Sequence, residues 1–200
     1  MSGTYPATPY FSSLKISSIQ PTLVSVSHSL TRQARSRGSQ RWFIEGSYPP
    51  LLKADFAPLI GFSIKQRGQY ETFTFVLPAP WGTPGGIATG TPLVDGASQS
   101  GRSITTKGWT PSKTGILLAG DFIKFSGQGK VYMITANASS DGDGDATLII
   151  EPALMEAPAD EEAITVSSVP FTVAFAGDSH EFNIQPGGLH EFKVSFVEAV

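Results

Sequence analysis

Three short runs set the limits on this fold: Ala119 to Phe125, Lys130 to Ala136 and Ala146 to Pro152. Each is rich in β-branched and aromatic residues, and each is bounded by Gly, Asp or Pro. Such runs read as strands of a three-stranded meander, because branched and aromatic side chains pack well on a pleated surface. No catalytic constellation sits on them. With 21 Gly, 15 Pro and 16% charged residues, the chain is poor material for long solvated helices. Its 40% hydrophobic content, including 13 Phe, is enough for a sizeable core. The class expected is all-β with many turns and one short helix.

The absence of Cys excludes a disulfide framework and thiolate metal sites, so stability has to come from packing, strand ladders or assembly. Met1 to Pro6 carries no basic start followed by an apolar stretch, and no window approaches a bilayer-spanning length. Synthesis without a secretory signal and no membrane partner are therefore expected. A net charge of −3 supplies no general attraction to nucleic acid, so any charge effect must be local.

Along the chain, Thr22 to Leu30 alternates, with Val24, Val26, His28 and Leu30 on one face and serines on the other. It reads as a half-buried strand, with His28 as a hydrogen-bonded core residue. Arg41 to Glu45 follows as a second strand. Leu51, Leu52, Phe56, Leu59 and Ile60 recur at helical spacing after Pro49 and Pro50. That predicts a short helix which Pro58 and Gly61 shorten or kink, with a stop at Gly68. Tyr70 to Pro78 is a strand; residues 79–112 read as loop or boundary. Beyond the meander, short strands are expected at 164–166, 171–175 and 182–184. The final run 192–198 places Phe192, Val194 and Phe196 inward. Early strands that find their closing strand only near the C-terminus suggest an inserted module. The expected division is 1–80 plus 185–200 for one domain and 81–184 for a small barrel within it.

Candidate sites are few. Asp141-Gly142-Asp143-Gly144-Asp145 places carboxylates at alternate positions, but Ala146 stands where a calcium loop needs Gly, and Pro152 where it needs Glu. A hairpin turn is the better reading. Gly177-Asp178-Ser179-His180 is similar to the start of one esterase class, yet no Asp-x-x-His follows to supply a base. His28, His180 and His190 lack metal-ligand spacing. Trp81, Trp109 and Tyr132 are candidate stacking platforms for sugars, or pins that hold loops to a core. Arg32, Arg35, Arg37 and Arg41 form the one basic cluster. It reads either as a solvated hairpin tip or as a contact to an acidic neighbouring subunit or a nucleic-acid passage, recognised through charge alone. No catalytic, cofactor or metal residue is assigned.

Arg67 to Phe75 after a short helix, then Ala119 to Phe125, then a terminal Phe192 to Glu198 strand, together resemble the minor tail and distal tail proteins of long, flexible-tailed bacteriophages. The resemblance spans most of the chain. It implies a tail-tube-like β-sandwich with one helix and an inserted small β-barrel, assembled as a sixfold ring between the tail tube protein and the tip or hub proteins. It also implies a non-enzymatic virion component made in the host cytoplasm, with nucleic acid at most passing through the lumen. The alternative is a carbohydrate-binding β module that contacts the host surface.

Overall fold

The computed structural model describes residues 2–200. In chain order the elements are β1 (Ser13–Ile19), β2 (Thr22–Val26), β3 (Arg32–Ser36), β4 (Arg41–Ser47), α1 (Lys53–Lys65), β5 (Phe73–Val76), β6 (Gly90–Val94) and β7 (Ser103–Trp109). They continue with β8 (Phe122–Phe125), β9 (Val131–Ile134), β10 (Ala146–Glu151), β11 (Ile164–Thr165), β12 (Pro170–Phe175), β13 (Phe182–Gln185) and β14 (Leu189–Glu198). The mostly β class with one helix is as expected. Two compact units result. One holds Thr8–Thr72 and Val173–Ala199 with Ser2; the other holds Phe73–Thr172 with Gly3–Ala7 and Val200.

In the first unit, β14 lies between β4 and the end of β12, and β1 flanks β4, all antiparallel. Ile44 sits between Ile16 and Phe196 in register, and Gly46 between Leu14 and Val194. Phe192, Val194 and Phe196 are all buried, as the alternation predicts. A Cβ on Gly46 would lie 2.5 Å from the Phe11 ring, so this position must be glycine for Phe11 to cross the strand and stack on Tyr48. Helix α1 buries Phe56, Leu59 and Ser63, with Phe56 edge-on to Phe192.

The helix differs from expectation. It runs through Pro58 and Gly61 to Lys65, because the loss of one backbone donor is outweighed where Phe56 and Leu59 are buried and Ser63 Oγ donates to the Leu59 carbonyl at 2.9 Å. Arg67 and Gly68 then adopt positive φ and end it, at the predicted stop.

The Thr22 to Leu30 reading also needs correcting. The strand stops at Val26, Ser27 to Thr31 form a turn, and His28 is exposed rather than a core residue. Arg32–Ser36, in the segment read as a solvated hairpin tip, is the second strand of this hairpin. Period-2 alternation defines a face but does not supply the surface that covers it.

The second unit is built on a six-stranded sheet of order β11-β8-β9-β10-β7-β6. The sheet curls until its edges meet: Leu93 bridges Ala163, Val94 N–H donates to the Glu162 carbonyl at 3.0 Å, and Glu161 N–H donates to that of Val94 at 3.0 Å. A nearly closed barrel results, filled by Val94, Ile104, Trp109, Phe125, Tyr132 and Leu148 among others. Closure removes the unpaired edges of an open sheet.

The meander supplies β8, β9 and β10, with Ala146, Leu148 and Ile150 inward and Thr147 and Ile149 outward. Residues 79–112, read as loop, contribute β6 and β7. Their apolar content is low because the strands approach closely. A Cβ on Gly108 would meet the Thr91 carbonyl oxygen at 2.4 Å, and Gly108 has φ +83°. Segment 182–184, considered as a barrel strand, instead pairs with β14 in the first unit.

A buried polar relay ties β7 to β10. The Trp109 indole N–H donates to Thr106 Oγ1 at 2.8 Å, and that hydroxyl donates to the Ala146 carbonyl at 2.8 Å. Tyr132 is fully buried, its hydroxyl donating to Gln128 Oε1 and accepting from Met155 N–H.

Candidate functional site

The four arginines are strung along and beyond the β2–β3 hairpin rather than gathered into a pocket. Arg32 and Arg35 lie on β3, opposite Val26 and Leu23 respectively, and so point to opposite faces. Arg37 follows the strand, its backbone N–H donating to the Pro21 carbonyl at 3.0 Å. Arg41 opens β4 and lines a shallow cleft of about 300 Å³ with Ile19, Pro21, Ser39 and Val197. All four are exposed, and none takes part in an ion pair among the described residues.

The Gly177 to His180 segment is a turn whose Asp178 Oδ1 accepts a hydrogen bond from Gln69 N–H at 3.2 Å. It lines an open groove of about 570 Å³, together with Glu181, Asn183, Glu191 and Lys193. The His180 ring sits edge-on to Phe175 at 4.4 Å with a buried, unpartnered Nε2. Burial holds its pKa below 6.5, against a weaker opposing pull from Asp178. No hydrogen bond among the described residues joins Ser179 to His180, so the nucleophile and base of an esterase are not assembled. The groove is built where β12 leaves β14 and β13 returns to it. Nothing in the local sequence beyond the turn marks it. His190, also on this hairpin, stacks on Phe56 at 4.5 Å with an unpartnered Nδ1.

Asp141 caps its own turn: Oδ1 accepts from the Asp143 and Asp145 N–H groups at 3.0 and 2.9 Å. Those bonds, Asp145 first, lower its pKa. Its carboxylate is turned toward the backbone of the hairpin. Of the three aromatic platforms, Trp109 and Tyr132 are core residues and cannot stack on a sugar; Trp81 is 66% exposed. No helix among the described residues is long and apolar enough to cross a membrane.

What stands out is therefore architectural: one unit is a small, nearly closed barrel, and the other is an open sheet with a bare, basic hairpin. Residues 84–169 match the family model described as distal tail protein pb9, B domain. The matched stretch contains all six strands of the closed sheet, from Gly90 to Thr165. The match supports a distal tail protein of a phage. It bears out the resemblance drawn from the sequence, and a phage tail family suggests a structural role in the virion tail. A tail family also implies assembly with other tail components. No curated protein sequence matches the chain.

Proposed function

We propose that the chain is a structural protein of the phage tail tip, forming a ring that joins the tail tube to the distal tip or baseplate. The family match across the whole closed sheet carries this reading. In the proposed organisation, the unit of Thr8–Thr72 and Val173–Ala199 is the tail-tube-like β-sandwich that builds the ring, and the unit of Phe73–Thr172 is the inserted module. Arg32, Arg35, Arg37 and Arg41 stand at a subunit contact or on the lumen. The ring is sixfold, its neighbours are the tube protein and the tip or hub proteins, and the subunit is made in the host cytoplasm before joining the virion.

Negative-stain images of the purified protein at high concentration, with immunogold labelling of the virion, test this. Rings with label at the distal end of the tail are expected; a strict monomer, or label elsewhere, overturns it. The exposed Trp81 ring favours one secondary reading, glycan contact by the barrel module. A glycan array probed with the wild type and with Trp81→Ala tests that reading. Binding that Trp81→Ala abolishes supports it, and a blank array removes it.

A further inference from the structure

The groove beside β14 belongs wholly to the first unit, and strand pairing explains its place. On one side of β14, β12 pairs with residues 196–198 and β13 with residues 189–192. Residues 193–195 have no strand beside them there, and Ala176 N–H donates to the Ser195 carbonyl at 2.9 Å where β12 departs. The opening of about 570 Å³ is of the size that holds a whole small molecule.

Its lining sorts by chemistry. Phe43, Phe175, Phe182 and Val194 supply apolar surface, and the Phe182 ring is 41% exposed. Ser179, Asn183 and Ser195 supply neutral oxygen acceptors, and Glu181 and Glu191 supply carboxylates. Gln185 Nε2 donates to Glu191 Oε1 at 2.5 Å, which leaves the other Glu191 oxygen free for a ligand. Lys193 is the one cation in the lining, and neither it nor Glu181 nor Glu191 takes part in an ion pair among the described residues. Burial lowers the pKa of His180, so this ring adds no charge near neutral pH. Two carboxylates therefore stand against one ammonium.

A neutral or anionic ligand entering here would strip water from the carboxylates without replacing it. A cation on an aliphatic stem gains twice. Its head meets a carboxylate through charge-assisted hydrogen bonds, and its stem lies against phenyl rings whose faces attract positive charge.

We infer that the groove binds a small organic cation, an ammonium or guanidinium on an aliphatic stem, a role separate from the tail assembly proposed above. Glu181 and Glu191 hold the head, Phe43 and Phe182 flank the stem, and Lys193 weakens the site by like-charge repulsion.

The test titrates the full chain with butylguanidinium and follows amide chemical shifts by NMR, with butyrate as the control of opposite sign. N-acetyl-arginine methylamide presents the same head on a chain-borne stem. Tighter binding of this capped arginine assigns the site to a partner's side chain, and tighter binding of butylguanidinium assigns it to a free cation. The expected result is saturable shifts confined to residues 179–183 and 191–195 with the cations, and none with butyrate. The dissociation constant should rise at least about tenfold in Glu181→Gln/Glu191→Gln and fall in Lys193→Ala. All three altered side chains are exposed, and far-UV circular dichroism checks that each variant is folded. Opposite changes in the two variants are the mark of a site that reads charge. The absence of saturable shifts with either cation, equal shifts with butyrate, an unchanged constant in the double variant, or a rise in Lys193→Ala would each overturn the site and leave the ring reading standing.

Discussion

The β2–β3 hairpin and the β8–β9–β10 meander are made of the same kind of antiparallel pairing, yet one is bare on both faces and the other is packed. In the meander, Ile123, Phe125, Tyr132, Ile134, Leu148 and Ile150 are completely buried, because the sheet continues on either side and curls until its edges meet. In the hairpin, Leu23, Val24 and Val26 remain more than half exposed, because the pairing ends after two strands. Alternation in sequence thus specifies a face, and closure decides whether that face becomes a core. A strand's contribution to stability follows from the second of these, so substitutions in the two regions should separate cleanly.

The largest effect belongs inside the barrel. Phe125→Ala removes a fully buried ring and should cost about 3–5 kcal/mol by urea unfolding followed through far-UV circular dichroism. A loss no larger than that of a surface change would mean that the barrel is not the rigid half of the comparison. Next comes the relay. Thr106→Val leaves both the Trp109 indole N–H and the Ala146 carbonyl without their partner, and about 1–3 kcal/mol should be lost. Trp109→Phe in the Thr106→Val background should then recover part of that loss, since the orphaned indole donor is gone.

A smaller effect concerns pH in the open sheet. Burial depresses the His180 pKa, so the unfolded chain binds the proton more readily than the folded one. Its stabilising contribution is present above pH 6.5 and declines as pH falls from there toward the folded-state value. His180→Phe should flatten that limb of the stability profile, and an identical slope in the variant would show that other groups set it. Smallest of all, Val24→Ala should change monomer stability by no more than about 0.5 kcal/mol. A loss comparable to that of Phe125→Ala would mean that the hairpin is already covered within a single chain.

How far these differences were legible depends on what each residue type reports. The meander and β14 were readable because Ile, Phe and Val recur with period 2 and Gly or Pro marks the ends. The helix was readable as to its start shortly after Pro49 and Pro50 and its stop at Gly68. Its passage through Pro58 was not, since that depends on burial of Phe56 and Leu59. Strands β6 and β7 were hidden because Gly90 and Gly108 are demanded by close backbone approach, which looks like loop composition. The exposure of Val24 and Val26 was unreadable, because no residue in the strand records what lies across from it. The groove at Ser179 to Asn183 was invisible for a related reason. It is a gap left where one strand departs and another arrives, not a motif.

The amide of Trp42 donates to Glu198 Oε2 at 3.2 Å across 156 positions of chain. The partners of β4 on the β14 side therefore leave the ribosome only after the whole of Phe73–Thr172 has been made. Such long-range pairing is slow to close, because the loop entropy is spent before the contact forms. The barrel, contiguous apart from a few terminal residues, can mature while translation continues. The open sheet must wait for β14, so a chain truncated within β14 would carry a finished barrel and an unfinished sheet.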